Sequence, residues 1–262
     1  MKNQKMYEAD DKLISIIQDN YNILQSLGSF GINLGFGDMT VKEVCEAQQV
    51  DSYTFLAVVN FTINGFLDID SIGRLSIPTL ITYLRASHAY YLDFQLPTIR
   101  VQLRNALDED QSLARLIIKL YDEYARTVRN HMKYEENTVF PYIEELQEGN
   151  VSGSYDIETY SKHHNQIDKK LKELKNIIIK YLPSDGLHNN QLTATLYNIY
   201  NCEQWLQEHA NVEDELFIPA IKRVEEKMKR SDVSTKISNM INATAAPQEA
   251  LSEREREVIV AL

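Results

Sequence analysis

A short pattern that occurs twice in this chain limits how it can fold. Each copy has a histidine and a glutamate four residues apart, and a proline ten residues after the histidine. The two copies are His131 with Glu135 and His209 with Glu213. Residues four apart lie one turn apart on the same face of an α-helix, so each copy can direct an imidazole and a carboxylate towards one point. The repeat predicts two helices that face each other across a shared metal site.

Both copies lie in long segments with helical periodicity. The predicted segments cover about 77–106, 111–146, 157–181 and 190–229. Each has apolar residues three and four apart, a spacing that places one face of a helix against a core. One histidine interrupts each apolar stripe: His88, His131, His164 and His209. Four such helices with short or moderate connections predict an antiparallel bundle in which the histidines point inward together.

The composition agrees with an architecture of long helices. Of the 262 residues, 44% are hydrophobic and 25% charged, with only 9 Gly and 6 Pro, a balance that favours helices over strands. The net charge of -11 argues against sequence-independent binding to nucleic acid, which needs clustered Lys and Arg. The segment MKNQKMYEADDK lacks the apolar core of a signal peptide, and the sequence contains no apolar stretch of membrane length. Cys45 and Cys202 form no CxxC or zinc spacing. We expect a cytoplasmic protein without a membrane partner.

The sequence divides into three predicted parts. Residues 1–68 read as a small helical domain, because short helical stretches are broken at glycines. Residues 75–230 form the predicted bundle, which begins where Ser76 precedes Pro78, a helix-start signal. Pro141 and Pro219 are expected to bend or end their helices. Residues 231–262 are polar and small at first and are predicted to begin as a linker.

A single His-x-x-x-Glu pair is commonly an ordinary pair on a helix, and a lone histidine on an apolar stripe is commonly a satisfied core residue. Two copies in one register, with an inward histidine on each remaining helix, favour a metal. Buried imidazoles and carboxylates are costly without partners, and a shared cation satisfies all of them. Iron, manganese and zinc all accept these ligands. Two ions, each with about six coordination positions, would be bound by four histidines, two bridging glutamates and one bridging oxygen. About one position per ion would stay open.

Two segments resemble a known family closely. HMKYEENTVFPYI and EHANVEDELFIPAI resemble the second and fourth ligand helices of haemerythrin-like di-iron proteins, specifically the family for repair of iron centres, also described as regulators of cell morphogenesis and nitric oxide signalling. The resemblance implies an all-α fold: an antiparallel four-helix haemerythrin-like bundle with a small helical N-terminal domain. It implies two non-haem iron ions with an oxo or hydroxo bridge. The implied metal ligands are His88, His131, Glu135, His164, His209 and Glu213.

Two of these ligands depend on the spacing within the family. In SKHHNQIDKKLKEL, the family spacing from the histidine to the following leucine selects His164 rather than His163. In ASHAYYLDFQLP, His88 stands one residue further from the Leu-Pro pair than the family places its histidine. No other histidine lies on that helix, so the resemblance assigns His88.

The N-terminal segment FGINLGFGDMTVKEVCE resembles the small N-terminal domain of the same family. That domain normally carries two adjacent cysteines followed by glycines, but Gly35 and Phe36 occupy those places here. A structural cap is therefore favoured over a redox or metal role for this segment. Cys45 and Cys202 are expected to be small buried residues rather than reactive ones.

The last twelve residues, LSEREREVIVAL, resemble the opening of the first helix of a LuxR-type helix-turn-helix domain. A charged amphipathic tail is an equally good interpretation, because one short motif is weak support. No recognition helix follows, so this fragment alone is not expected to bind DNA. If the resemblance holds, the 262 residues are the sensor part of a longer transcription regulator.

The resemblance implies a cytoplasmic di-iron protein of the nitrosative or oxidative stress response, similar to iron-sulfur cluster repair proteins. Nitric oxide or O2 would be its small diatomic ligand, and damaged iron-sulfur proteins its macromolecular partners. The alternative is a di-iron ligand or redox sensor module of a LuxR-type transcription regulator. Simple storage of oxygen or iron is a third class. No separate nucleophile or general base stands out, so the sequence leaves open whether the protein is an enzyme.

Overall fold

The computed structural model describes residues 5–107, 112–149, 155–161, 168–182 and 186–244. The chain divides into two compact units, Met1–Lys222 and Arg223–Leu262. Across the described ranges the secondary structure is helical without strands, apart from an isolated bridge between Lys12 and Thr40. The predicted all-α class is confirmed. None of the helices in these ranges is long and apolar enough to cross a membrane.

Five short helices form the N-terminal part. They are α1 (Leu13–Asp19), α2 (Ile23–Ser29), α3 (Val41–Ala47), α4 (Ser52–Asn64) and α5 (Ile69–Ile72). Thr40 and Glu43 form a capping box at the start of α3, in which each side chain satisfies a free backbone amide of the other residue. Gly65 ends α4 with a φ of 77°, a left-handed conformation that glycine adopts without steric cost. The N-terminal segment is therefore helical, as expected, while a separate domain at 1–68 stays a prediction.

Four long helical runs follow, as the apolar stripes predict. The first consists of α6 (Ile77–Ala89), π1 (Tyr90–Gln95) and α7 (Leu96–Ala106). The second consists of α8 (Ser112–Tyr134), π2 (Glu135–Val139) and α9 (Phe140–Gln147). The third includes α10 (Ile157–Ser161) and α11 (Asp168–Tyr181). The fourth consists of α12 (Gly186–Val212), π3 (Glu213–Phe217) and α13 (Ile218–Thr244). The predicted helical bundle is confirmed, whereas the predicted domain boundaries remain predictions.

The helical path continues through the prolines instead of ending at them. Pro97, Pro141 and Pro219 are each the second residue of the α-helix that follows a π-helical turn. A proline lacks the amide hydrogen, and its ring clashes with the carbonyl four residues earlier. A π-helical turn has hydrogen bonds that span five residues, and this wider spacing makes room for the proline ring. The sequence pattern marks the prolines but does not predict these wide turns.

The apolar half of the bundle is closed by α7, α8, α11 and α12. Each contributes a side chain that is essentially inaccessible to solvent: Leu103, Ile117, Leu174 and Ile199. The Tyr121 hydroxyl, also buried there, donates a hydrogen bond of 2.8 Å to the carbonyl of Leu96. Burial of this apolar surface, at about 25 cal/mol per Å2, is the main term that holds the helices together.

The N-terminal helices pack beside the first histidine of the bundle. The rings of Phe30 and Tyr83 lie 4.6 Å apart between their centroids. The Ser87 hydroxyl donates a buried hydrogen bond of 2.9 Å to the Ser29 hydroxyl. Since Ser87 directly precedes His88, helix α2 helps to fix the end of α6 at which that histidine lies.

The segment predicted to begin a linker is helical in its first part, because α13 extends to Thr244. The sequence contains a spacing that the polar composition obscures, namely Val233, Ile237, Met240 and Ile241 at intervals of four, three and one. Apolar residues at such intervals favour a helix. The final segment, including LSEREREVIVAL, lies outside the described residues.

Candidate metal centre

Four of the predicted ligands converge in the bundle. The ligand atoms of His88, Glu135, His209 and Glu213 all lie within 4.8 Å of one another. The exposed fractions of these four side chains are 2%, 0%, 5% and 1%. Two carboxylates buried this deeply carry negative charge that needs a positive charge beside it, and the two imidazoles are ligands for a cation. The size and donor types of the cluster are those of a cation site.

The first copy of the repeat is organised around Glu135. The His131 Nε2 lies 2.9 Å from Glu135 Oε1, and the His88 Nε2 lies 3.1 Å from Glu135 Oε2. The two oxygens of one carboxylate therefore face imidazoles from two different helical runs. His131 lies outside the compact group of four, and its side chain is 19% exposed. His131 is thus more exposed to solvent than the four clustered ligands.

The second copy is more deeply enclosed. The His209 Nε2 lies 3.3 Å from Glu213 Oε1. Both ring nitrogens of His209 are buried, and neither has a hydrogen-bond partner among the described residues. A buried imidazole in this state costs about 1–3 kcal/mol in the free energy of folding, and a metal ion at either nitrogen would remove that cost. His164, the remaining predicted ligand, lies outside the described residues.

The helix geometry at each copy explains how the glutamates are aimed. Glu135 is the first residue of π2 and Glu213 the first residue of π3, directly after the α-helix that carries the histidine. His88 is likewise the penultimate residue of α6, just before π1. Single π-helical turns inside α-helices occur frequently at functional sites. Here all three lie beside the clustered side chains.

A polar shell around His88 escaped the sequence analysis. The His88 Nδ1 donates a hydrogen bond of 2.8 Å to Glu136 Oε1. Arg85 Nε donates to Glu136 Oε2 at 3.1 Å, and Arg85 Nη1 donates to Glu144 Oε1 at 2.7 Å. Burial raises the pKa of Glu136, but the hydrogen bonds from His88 and Arg85 outweigh it and leave that pKa below its usual value. Glu136 is thus an anion that orients Nε2 of His88 towards the cluster.

These carboxylates also control the protonation of His88. Burial lowers the pKa of His88, but the adjacent Glu135 and Glu136 carboxylates raise it by more, and the resulting pKa is about 9. In the absence of a cation the ring is therefore protonated at neutral pH. Metal ligation requires a neutral imidazole, so a bound cation replaces the proton at Nε2.

A tyrosine also belongs to this environment. The Tyr160 hydroxyl, on α10, donates a hydrogen bond of 2.6 Å to Glu135 Oε1. Its side chain is 1% exposed. Sequence analysis missed it, although Tyr160 stands four residues before His164, the spacing of one turn in the predicted helix.

Aromatic rings enclose the polar cluster. The Phe140 ring stacks on His88 with 5.6 Å between centroids, and the Tyr91 ring meets His209 edge-on at 5.9 Å. Phe140 also contacts Phe217 at 6.0 Å. These rings keep water away, which strengthens every electrostatic interaction inside.

The cysteines do not take part in this centre. Cys45 and Cys202 are buried free thiols, and burial raises the pKa of each to about 12. Such thiols stay protonated and are poor nucleophiles. Gly35, one of the two residues at which the resemblance noted in the sequence predicts a cysteine, has a φ of 97°. A cysteine would be strained in that conformation.

The donor set fits a metal that accepts imidazole and carboxylate together, such as iron. The comparison with known proteins agrees with this chemistry. Residues 79–221 match a protein family described as the Hemerythrin HHE cation binding domain. The match covers more than half of the chain and contains all of the predicted ligands. A search of curated proteins finds no match.

Proposed function

We propose, for a chain that belongs to the haemerythrin HHE cation-binding family, that the buried cluster holds two iron ions with an oxo or hydroxo bridge. The protein is a haemerythrin-like metal-binding protein, and the number of ions is our inference. The observation that carries the proposal is the convergence of four ligand atoms within 4.8 Å. The proposed ligands are His88, His131, Glu135, His164, His209 and Glu213.

Glu135 supports a pair of ions rather than one. Its Oε1 faces His131 at 2.9 Å, and its Oε2 faces His88 at 3.1 Å. A carboxylate with this arrangement is suited to bridge two cations, each of which also has an imidazole ligand. Glu213, whose Oε1 faces His209, would be the second carboxylate ligand of the pair. The phenol of Tyr160 and the carboxylate of Glu136 hold these ligands in place.

The first copy is also the side from which a small molecule would approach. The His131 side chain is 19% exposed, whereas the four clustered ligands are at most 5% exposed. Iron, when bound, supplies reversible binding of nitric oxide or O2 and one-electron redox chemistry. We propose that the protein uses this chemistry in the cytoplasm against nitrosative or oxidative stress, with damaged iron-sulfur proteins as partners that receive iron.

Metal analysis combined with an optical spectrum tests the proposed cofactor. Protein loaded with ferrous iron should contain about two irons per chain, and oxidation should produce the absorption bands of a bridged ferric pair. Zero or one iron per chain would contradict a di-iron centre. Addition of nitric oxide to the reduced protein should shift the spectrum if an open position exists.

Repair and storage are separated by a second experiment. Iron-loaded protein is incubated with an iron-sulfur enzyme inactivated by nitric oxide, and the return of its activity is followed. Repair predicts faster recovery than an equal amount of free ferrous iron produces. Recovery no faster than with free iron would favour storage.

A sensor module remains the second candidate function. The specific observation in its favour is that α13, which begins five residues after Glu213, extends to Thr244, so one helix continues from the proposed ligand into the segment that precedes the LuxR-like tail in the sequence. Hydrogen exchange measured with and without nitric oxide tests this use. Altered protection within 223–244 supports a sensor, and unchanged protection argues against it.

A further inference from the structure

A tyrosine outside the predicted ligand set contacts the central carboxylate of the site. Tyr160 lies on α10, while Glu135 begins π2 in another helical run. Its hydroxyl donates to Glu135 Oε1 at 2.6 Å, and both side chains are almost completely buried. We propose that Tyr160 is a positioning residue that fixes the orientation of the Glu135 carboxylate and thereby slows the loss of metal. This inference rests on the proposed metal-binding function.

The geometry shows how the phenol acts. Glu135 Oε1 has the Tyr160 hydroxyl at 2.6 Å and the His131 Nε2 at 2.9 Å, so two groups from different elements hold the same oxygen. The plane of the carboxylate is then set, and Oε2 faces His88 at 3.1 Å. A hydrogen bond to an ionised acceptor is stronger and shorter than one between neutral groups. Removal of the phenol leaves the carboxylate more rotational freedom.

The chemical nature of the donor fits this role. A lysine or arginine at the same place would neutralise Glu135 and compete with the cation for it. The phenol carries no charge, so the carboxylate keeps its charge for the metal while its orientation is held. Hydrogen-bond donors behind a metal ligand typically change metal affinity by about 10- to 100-fold when removed.

A purely structural role predicts a different result, and the chain contains a matched control. The Tyr121 hydroxyl also donates a buried hydrogen bond, of 2.8 Å, but to the backbone carbonyl of Leu96 in the apolar core. Tyr121→Phe and Tyr160→Phe each remove one hydroxyl from a buried tyrosine. Both substitutions should lower the melting temperature of the metal-free protein, but only Tyr160→Phe should change the rate at which metal is released.

The test measures metal release from the full chain. Wild type, Tyr160→Phe and Tyr121→Phe are loaded with ferrous iron under nitrogen, and transfer to an excess of a coloured ferrous chelator is timed. We expect Tyr160→Phe to release iron about tenfold faster than wild type, and Tyr121→Phe to release it at the wild-type rate. Equal rates in the two variants would overturn the proposal. A wild type that binds no iron would instead contradict the proposed function.

A double-variant cycle tests whether Tyr160 acts through Glu135. Affinity for Co2+, followed by its visible absorption, is measured for wild type, Glu135→Gln, Tyr160→Phe and the double variant. Circular dichroism of each metal-free protein checks that it is folded. We expect Tyr160→Phe to weaken binding in the wild-type background and to have little further effect beside Glu135→Gln. The same loss in both backgrounds would show that the phenol acts elsewhere and would overturn the proposal.

Discussion

The two His-x-x-x-Glu copies have the same spacing and the same π-helical turn, yet they lie in different surroundings. In the first, His131 is 19% exposed, and Glu135 accepts a hydrogen bond from Tyr160. In the second, His209 is 5% exposed, and neither of its ring nitrogens has a hydrogen-bond partner within the described part of the chain. The first copy is supported by protein on its inner side and open towards solvent.

This difference assigns different tasks to chemically identical pairs. An open imidazole with a supported carboxylate suits the exchange of small ligands. A fully enclosed imidazole whose ring nitrogens have no hydrogen-bond partner among the described residues depends on the cation for its stability. We therefore expect changes in the first copy to act mainly on metal retention and ligand exchange, and changes in the second to act also on the stability of the metal-free protein.

The largest effect is expected at Glu135, because its two oxygens face imidazoles from two helical runs. Glu135→Ala should reduce the iron content from about two ions per chain to about one or fewer. Metal analysis after gel filtration measures the change. Glu145→Ala, which removes an exposed glutamate from the same run, is the control and should retain the wild-type content. Undiminished iron in Glu135→Ala would contradict the bridging role.

Replacement of each histidine by leucine separates the two copies through the metal-free protein. His209→Leu leaves the buried Glu213 carboxylate without the imidazole that lies 3.3 Å from it, and should lower the free energy of unfolding by about 3 kcal/mol. His131→Leu should lower it by a smaller amount, because His131 is partly exposed and the Tyr160 hydroxyl still donates a hydrogen bond to Glu135. Urea denaturation in the presence of a chelator gives both values. Equal changes in the two variants would remove the distinction between the copies.

A substitution at Glu136 tests whether the hydrogen bond between this carboxylate and His88 contributes to metal affinity. Glu136→Gln replaces the anion that accepts the hydrogen bond from His88 Nδ1 at 2.8 Å, and should weaken metal affinity about tenfold. Titration with Co2+ measures this loss. Glu145→Gln makes the same change of charge on an exposed side chain of that run. A similar loss in both variants would indicate a general effect of charge instead.

The smallest effect is expected at Arg85, whose side chain is 40% exposed while it bridges Glu136 and Glu144. Ion pairs at this exposure contribute about 0–1 kcal/mol. Arg85→Ala should therefore weaken Co2+ affinity only about two- to threefold, by the same titration. The Arg85 guanidinium also lies over the Phe140 ring, 5.3 Å from its centroid. A loss of Co2+ affinity as large as that of Glu136→Gln would mean that Arg85 contributes more through Glu136 or this ring than its exposure suggests.

Much of the bundle was predictable because its signals are local. The first run occupies residues 77–106 as its stripe predicts, and the Ser76 side chain caps its first turn. The pairs His131–Glu135 and His209–Glu213 meet because helical spacing alone brings them together. These predictions need only the period of a helix and the chemistry of its caps.

The missed features depend on contacts between helices, which no local period encodes. Arg85 and Glu136 are 51 residues apart, and Tyr160 and Glu135 are 25 residues apart. The π-helical turns were missed for a related reason, since each proline was expected only to bend or end its helix. The helical start of the predicted linker was missed because its composition outweighed its apolar spacing.

Anomalous diffraction at the iron edge from crystals of the iron-loaded protein tests the central claim most directly. We predict two peaks per chain, one beside His88 and one beside His131, with the carboxylate of Glu135 between them. A single peak at the His209–Glu213 pair, or no peak within the cluster, would contradict a di-iron centre bridged by Glu135.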